Sequence, residues 1–397
     1  MLLKIGDRRV SLKLVVFLFT SFTVLFFPLN NFIAEMTIAL FIIFSVSFIK
    51  KYNLLSINLK KLLSSIIIFI LLIFIYSLIG ISSASKGYIA RYFGWALFSI
   101  IGLYLNFIFT EKERKFLFYS LYWSSIISIL YFCFVNNVVD LTDAYHSTVI
   151  MIFNGSMLIF LICSHNIKEK FFAFFGVLIA FCVNTFLLQR SITLLLTLIM
   201  FSLIIIYNSK NRWKSAIIII LIIVLLLYIY FSGGYVTIFS MIGEISGSNR
   251  IQQRMNWLIT VLRNKDFSSM GGSISGRYNL IELSFNTWLA SFNNFLFGVG
   301  DHRIRNNLIG NHSDIIDTFA RFGMFGGSLM IFILIRQFKF IKALKQRKSI
   351  IKTYCIIMYI IYILRMFIGQ VYHPAVALQM FIFVPLVFEK CQRNNLE

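Results

Sequence analysis

The chain has 397 residues, of which 59% are hydrophobic and only 13% are charged, whereas about a quarter of the residues of a soluble domain are charged. This composition excludes an ordinary soluble protein. The formal net charge of +22 does not indicate nucleic-acid binding, because most Lys and Arg lie in short segments on one side of the predicted topology. That asymmetry is typical of membrane proteins and predicts that both termini and the basic loops are cytoplasmic.

Apolar runs long enough to cross a bilayer, about 17–25 residues, recur along nearly the whole chain. We predict twelve spanning helices, at about 11–27, 31–49, 62–82, 92–110, 116–138, 147–164, 170–188, 191–207, 215–232, 321–338, 351–368 and 371–388. The predicted fold class is therefore an all-α polytopic membrane protein. It has three parts: helices one to nine in residues 1–232, a long outer loop in 233–320, and helices ten to twelve in 321–397.

Several arginines fall in the predicted outer half of the protein, namely Arg91, Arg190, Arg277 and Arg365. An arginine at the edge of a membrane span costs a few kcal/mol unless its side chain reaches the surface or binds an anion. Both interpretations stay open for any single arginine. The presence of several at a similar depth favours an anion site.

The long outer loop contains most of the Gly, Ser, Asn and Arg of the outer face, and a single long loop on a tightly connected bundle indicates a functional region. Residues 270–300 read Met-Gly-Gly-Ser-Ile-Ser-Gly-Arg-Tyr-Asn, then an aromatic stretch, then Phe-Gly-Val-Gly. The stretch has an apolar face at helical spacing, formed by Leu280, Ile281, Phe285, Trp288, Leu289 and Phe292. We expect this face to lie on the bilayer surface.

The end of the loop, residues 310–323, reads Gly-Asn-His-Ser-Asp-Ile-Ile-Asp-Thr-Phe-Ala-Arg-Phe-Gly and leads into the tenth predicted span. On a helix, Asp317 and Arg321 form an i,i+4 pair, and His312 lies at the helix start on the outer face. A histidine at a helix start is more often a cap or a surface residue than a base. The surrounding residues favour a functional role for His312.

The order of these motifs within residues 275–327 resembles the O-antigen polymerases of the Wzy type, which share a superfamily with the O-antigen ligases. The resemblance rests on Ser-Gly-Arg, the aromatic helix, Phe-Gly-Val-Gly, Asn-His-Ser-Asp-x-x-Asp and Arg-Phe-Gly-x-x-Gly. It implies a cell inner-membrane glycosyltransferase of GT-C-type architecture that needs neither a metal nor another cofactor. Its substrate would be an undecaprenyl-diphosphate-linked oligosaccharide at the periplasmic face, its product O-antigen or capsule, and its expected partner a chain-length regulator.

By this resemblance Arg190 and Arg277 match arginines implicated in binding the lipid diphosphate, and His312 matches the histidine proposed to activate the acceptor as a general base. Guanidinium groups suit a departing diphosphate, and histidine's unperturbed pKa of about 6.5 suits a base near neutral pH. Asp314 or Asp317 either orients the imidazole or pairs with Arg321. Further predicted substrate contacts are Arg91, Arg321 and Arg365, and the predicted loop-motif glycines are Gly276, Gly298 and Gly300.

Two other functions compete with polymerisation. An O-antigen ligase would use lipid A–core as acceptor, but ligases more often have Asn where this chain has Ser313. A lipid-linked-oligosaccharide flippase should show repeat-related halves and polar residues at mid-membrane depth, whereas this chain concentrates its polar residues in one outer loop.

A metal site is also disfavoured. Asp140, Asp143 and His146 resemble metal ligands, but a solvated loop is the preferred interpretation. The chain has no Asp-x-Asp pair, which argues against a metal-dependent enzyme that uses nucleotide sugars.

Overall fold

A computed structural model describes residues 2–5, 8–26, 57–78, 86–135, 144–164, 166–183, 191–209, 232–245, 275–300, 308–310, 312–343, 349–369 and 371–393, with single positions between 213 and 263. Its two strands are β1 (Leu2–Ile5) and β2 (Arg8–Ser11). The helices of the first half are α1 (Leu12–Phe26), α2 (Ile57–Leu78), α3 (Lys86–Leu103), α4 (Leu105–Ile108), α5 (Glu111–Val135), α6 (Ala144–Cys163), α7 (Ile167–Cys182) and α8 (Ser191–Asn208). Those of the second half are α9 (Gly234–Ile245), α10 (Ser275–Leu289), α11 (Phe292–Phe297), α12 (Asp314–Ala343), α13 (Ser349–Phe367), α14 (Pro374–Leu378) and α15 (Val384–Arg393), and a π-helical turn, Gln379–Phe383, joins the last two.

The helical fold class is confirmed for the described residues with one exception, at the N-terminus. There β1 and β2 pair antiparallel, with Leu2 opposite Ser11 and Ile5 opposite Arg8. The sequence carried a signal for this hairpin, since a two-residue Gly-Asp segment separates two short stretches that each contain apolar and basic residues. The strict all-α prediction is therefore wrong at these residues.

Most predicted spans coincide with helices. The predicted span at 31–49 lies outside the described residues, and only single positions of the span at 215–232 are described. By length and composition, two helices within the described residues qualify as membrane spans, Asp314–Lys339 and Pro374–Cys391. The total of twelve spans stays a prediction.

The continuous helical segment 374–393 is the most deeply buried part of the described core. It packs closely on α3, because Gly94 faces Pro374 and Gly102 faces the backbone of Phe381, where any Cβ would overlap these atoms. Glycine at such contacts lets two apolar helices approach each other closely. Its π-helical turn begins at Gln379, whose side-chain amide donates a 2.6 Å hydrogen bond to the hydroxyl of Ser125 on α5.

Ion pairs gather three segments that the sequence assigns to the cytoplasmic side. The Arg114 guanidinium donates two hydrogen bonds, of 2.8 and 3.0 Å, to the carboxylate of Glu389. Lys390 lies 2.6 Å from the Glu169 carboxylate. The start of α5, the start of α7 and the end of α15 thus meet at one end of the bundle.

Candidate functional site

The segment that carries His312 ends in a capped helix start. The Ser313 hydroxyl accepts a 3.3 Å hydrogen bond from the amide of Ile316, and the Ser313 amide donates a 3.2 Å bond to Oδ2 of Asp317. A serine cap with an acidic residue in the first turn satisfies amides that the helix itself leaves unpaired. Helix α12 therefore begins at Asp314, and the half-buried His312 precedes it, as the sequence predicts. The chemical role of His312 stays a prediction.

Asp317 connects this helix start to α10. Its Oδ1 accepts a 2.6 Å hydrogen bond from the hydroxyl of Ser284, which also accepts a 2.8 Å bond from the amide of Gly310. Both side chains are buried, so these bonds fix the 308–313 segment between α10 and α12. Asp317 also interacts electrostatically with His312 and Arg321. Which of the two acids orients the histidine stays a prediction.

Asp314 instead fastens α12 to the turn between α13 and α14. Its Oδ2 accepts hydrogen bonds from the amides of Val371 and Tyr372, the latter at 2.7 Å. Its own amide donates a 3.3 Å bond to the carbonyl of Gly369. These contacts give Asp314 a structural task, whereas an orienting role for it stays a prediction.

The motif Phe-Gly-Val-Gly pairs with the backbone of Arg-Phe-Gly. The amides of Val299 and Gly300 each donate a 2.9 Å hydrogen bond, to the carbonyls of Ala320 and Arg321 respectively. In an uninterrupted helix those carbonyls would accept from residues four positions later. With that pairing interrupted, α12 kinks at Gly323, which has φ 62°.

Glycine is required on both sides of this backbone pairing. Gly298 and Gly323 have positive φ, and a Cβ on either would overlap a carbonyl of the facing segment. Gly300 also has positive φ, at 71°. The predicted loop-motif glycines thus include two that shape this joint. Gly276 lies within the first turn of α10, and its role in the motif stays a prediction.

Arg321 is buried and joins α12 to α3. Its Nη1 donates a 2.9 Å hydrogen bond to the hydroxyl of Tyr92, and it interacts electrostatically with Asp314 and Asp317. The Tyr92 ring packs against Phe322 at a centroid distance of 5.7 Å. The i,i+4 relation predicted for Asp317 and Arg321 is therefore present, with Tyr92 as a partner that the sequence did not indicate.

Arg365 is 1% exposed, although the sequence places it near the outer membrane edge. Its Nε donates a 3.1 Å hydrogen bond to the hydroxyl of Thr148, and its Nη1 donates a 3.1 Å bond to the carbonyl of Ile368. Gly369 leaves the space that the guanidinium occupies, since a Cβ there would overlap it. Arg365 therefore connects α6 to the end of α13. Contact between Arg365 and a substrate stays a prediction.

His373, which the sequence leaves as a structural residue, caps α14. Its Nδ1 accepts a 3.1 Å hydrogen bond from the amide of Ala375, and Pro374 occupies the first helical position. Its contacts agree with that interpretation.

For the other three predicted arginines, the structure describes only residues nearby in the sequence. Arg190 lies outside the described residues, and the side chains of Arg91 and Arg277, in α3 and α10, are not described. Thr193, in the first turn after Arg190, donates a 3.2 Å hydrogen bond to Ser147, which precedes the Thr148 that binds Arg365.

The other two arginines are close in sequence to residues of the site. Arg91 precedes the Tyr92 that binds Arg321, and Arg277 lies about two turns before Ser284 on α10. The described contacts therefore bring α3, α10 and the end of α13 against the part of α12 that follows His312, and the position of Arg190 stays a prediction.

The predicted apolar face of the aromatic stretch is divided between the protein interior and the surface. The Thr287 hydroxyl donates a 2.6 Å hydrogen bond to the carbonyl of Leu308, and Trp288 packs against Phe319 at a centroid distance of 4.7 Å. Phe285, Leu289 and Phe292 are exposed, and their contact with a bilayer stays a prediction. The hydroxyls of Ser284 and Thr287 were missed as functional candidates, and their spacing of three on one helix was the available signal.

No known protein-family model matches the chain, and no curated protein sequence matches it. Within the described ranges, no three His, Cys, Asp or Glu side chains are grouped as metal ligands. Asp140 and Asp143 lie outside these ranges, and the side chain of His146 is not described.

Proposed function

We propose that the protein is an inner-membrane glycosyltransferase that polymerises undecaprenyl-diphosphate-linked oligosaccharides into O-antigen or capsular polysaccharide at the periplasmic face. The observation that supports the proposal is the packing of α3, α10 and the end of α13, whose sequences include Arg91, Arg277 and Arg365, against the part of α12 that follows His312. An anionic lipid headgroup and a sugar hydroxyl are the two reactants that such a set of groups suits.

Embedding in a membrane is supported by the outward faces of several helices, which expose large apolar side chains. Examples on α2, α5, α7 and α8 are Ile68, Leu71, Phe74, Phe116, Trp123, Ile127, Phe171, Phe174, Leu195 and Leu198. Contiguous apolar faces of this size are unusual on a soluble monomer and ordinary against lipid tails. Together with the two long apolar helices, they support the proposed twelve-span, GT-C-type architecture.

The reaction would transfer a growing glycan from one lipid to another. The acceptor hydroxyl oxygen forms a bond to the anomeric carbon of the glycan while the bond from that carbon to the lipid diphosphate breaks. The hydroxyl proton moves to His312, and the diphosphate leaves with the bonding electrons. Asp317 stabilises the imidazolium that forms, because the two side chains already interact electrostatically.

The diphosphate gains negative charge as it leaves, so fixed cations beside it lower the barrier. We assign this task to Arg190 and Arg277, with Arg91 as a further contact. Arg321 is committed to Tyr92 and the two aspartates in the structure, so we assign it to holding the acidic pair in place. Guanidinium stays charged at any relevant pH, which suits both tasks.

A lipid-linked-oligosaccharide flippase is the second candidate, and one observation favours it. Polar side chains lie in the helical interior, where Gln379, Ser125 and Asn154 are all buried. Polar residues at mid-membrane depth are expected in a transporter. They bond within the protein, however, as in the 2.6 Å contact between Gln379 and Ser125, and this is compatible with helix packing alone.

The test is complementation of a deletion strain, with lipopolysaccharide resolved on a gel. We expect His312→Ala, Arg277→Ala and Arg190→Ala to abolish the ladder while a single repeat remains on the core and membrane expression persists. Arg336→Ala is the matched control, because Arg336 also lies on α12 but its guanidinium carbon lies over the Phe332 ring of the same helix, 4.6 Å from the ring centroid. Loss of every repeat would instead indicate a ligase or a flippase, and wild-type ladders from all three variants would refute the site assignment.

A further inference from the structure

Helix α10 buries two hydroxyl side chains and exposes large apolar ones. Its buried side carries Ser284 and Thr287, and its exposed side carries Phe285 and Leu289. The polar Glu282 and Asn286 are exposed as well. Phe292, at the start of α11, is 77% exposed. Exposure of these apolar side chains to water is unfavourable, so contact with an apolar medium would stabilise the arrangement.

The exposed aromatic face continues into the lateral surface of the bundle. Phe297, at the end of α11, stacks on Phe325 of α12 at a centroid distance of 5.7 Å, and both rings are exposed. The carbonyl of Phe297 accepts a 2.8 Å hydrogen bond from the hydroxyl of Tyr76 on α2. Next to Tyr76, the side chains of Phe74 and Ile75 are exposed on the apolar α2. The surface of α10 and α11 is therefore the edge of a face that would contact lipid.

The few charged residues of α10 and α11 also indicate what kind of lipid surface their exposed face would contact. Residues 279–300 contain one charged residue, Glu282, and no Lys or Arg. Attraction to anionic lipid requires basic residues near the membrane surface, and these residues offer none. Binding by the aromatic face itself is therefore hydrophobic, and the one basic residue of α10, Arg277, lies in the first turn of the helix, outside this face.

We propose that α10 and α11 lie in the outer-leaflet interface of the bilayer, with Phe285, Leu289 and Phe292 inserted among the lipids. The side of α10 that carries the Ser284 and Thr287 hydroxyls then binds the segment that carries His312, so this segment is fixed at headgroup depth. That is the depth of a lipid diphosphate, and the inference rests on the proposed function for the orientation of the chain in the membrane.

Spin labels test the depth directly. Single cysteines are placed at 285, 289 and 292, and at the exposed polar positions Asn286 and Asn293 as controls, in full-length protein whose five native cysteines are replaced by serine or alanine. The protein is reconstituted in nanodiscs of phosphatidylcholine, and label relaxation by oxygen is compared with relaxation by a water-soluble nickel chelate. We expect oxygen to dominate at 285, 289 and 292 and nickel at the two controls. The pattern should not change with added phosphatidylglycerol or salt.

Nickel access at all five positions would overturn the proposal. Spin–spin broadening that disappears on dilution with unlabelled protein would also overturn it, because it would identify a second copy as the occupant. If the cysteine-free protein does not fold, Phe292→Trp and Asn293→Trp in the native chain replace the labels. Brominated lipid should then quench the added fluorescence at 292 more than at 293, and equal quenching would refute the lipid contact.

These readings are independent of catalysis, since they need no substrate. Lipid contact without a polymerase phenotype in the His312→Ala strain would leave the inference intact and refute the proposed function. Loss of polymer growth in the His312→Ala strain without lipid contact would support the proposed function and refute the inference.

Discussion

The hydroxyl of Ser284 donates a 2.6 Å hydrogen bond to Oδ1 of Asp317, across more than thirty residues of chain and within a buried joint. The same oxygen accepts from the amide of Gly310, so one hydroxyl satisfies partners on two different segments. A change at Ser284 therefore reaches the segment that carries His312 without touching any proposed reacting group.

We expect Ser284→Ala to slow chain growth and to lower stability by about 1–3 kcal/mol, because it leaves a buried amide and a buried carboxylate oxygen without this partner. Ser284→Thr keeps the hydroxyl and should recover part of both. Asn286→Ala, on the exposed side of the same helix, is the control. Thermal unfolding of purified protein and the glycan ladder report the two effects, and equal behaviour of Ser284→Ala and the control would contradict the prediction.

The two aspartates should respond differently to neutral substitution. Both oxygens of Asp317 accept hydrogen bonds, from Ser284 and from the Ser313 amide. Asp317→Asn reverses the direction of the Ser284 bond if both contacts are kept, and it removes the charge that acts on Arg321 and His312. The side chain of Asp314 accepts from the amides of Val371 and Tyr372 through Oδ2, which the carbonyl oxygen of asparagine can replace.

Asp317→Asn should therefore abolish polymer growth, and Asp314→Asn should retain at least part of it. The ladder assay in the deletion strain, with protein level checked by immunoblot, decides between them. Polymer growth that persists in Asp317→Asn but is lost in Asp314→Asn would show that Asp314 is the acid that orients His312.

Gly323→Ala should unfold or severely destabilise the protein. It combines the cost of a positive φ, about 1 kcal/mol or more, with a clash between the new Cβ and the Leu296 carbonyl. Gly233 provides a matched control, because its φ is 74° and a Cβ there would meet nothing within 4 Å.

Gly233→Ala should thus show the backbone cost alone. The difference in melting temperature between the two variants measures the clash, and indistinguishable melting temperatures would argue against the observed contact between α11 and α12.

Arg365 should behave as a structural residue. Arg365→Ala removes a buried guanidinium and leaves the Thr148 hydroxyl and the Ile368 carbonyl without it, so we expect reduced amounts of folded protein in the membrane. Arg277→Ala should be present at the wild-type level. Size-exclusion profiles of detergent extracts provide the measurement. A fully folded Arg365→Ala protein that lacks polymerase activity would indicate instead that Arg365 contacts the substrate.

The sequence was sufficient to place most helices, because apolar runs of bilayer length and the breaks between them are local features. It also placed His312 at a helix start, since Ser313 and the acidic residues that follow it form a local cap. The partners of those residues could not be predicted in the same way. Tyr92 and Arg321 are separated by more than two hundred residues, and only the packing of α3 against α12 brings them together.

The orientation of α10 is instructive for the same reason. Its periodicity correctly indicated a helix with one apolar face, but periodicity does not say which medium that face contacts. Trp288 packs inward while Phe285 and Leu289 face outward, because Ser284 and Thr287 bond to the 308–310 segment and Asp317 and so fix the rotation of the helix. Gly298 and Gly300 were recognised as a motif, although their pairing with Ala320 and Arg321 required the fold.

The backbone pairing at the kink of α12 also determines how this region can open. The amide hydrogens of Val299 and Gly300 are bonded to carbonyls that belong to a long helix. They therefore exchange with solvent only when these hydrogen bonds to the helix break. A loop residue then acquires the exchange rate of a helix interior. We therefore expect the 298–300 segment and the part of α12 that it pairs with to open together, so a ligand that orders either one should also protect the other from exchange.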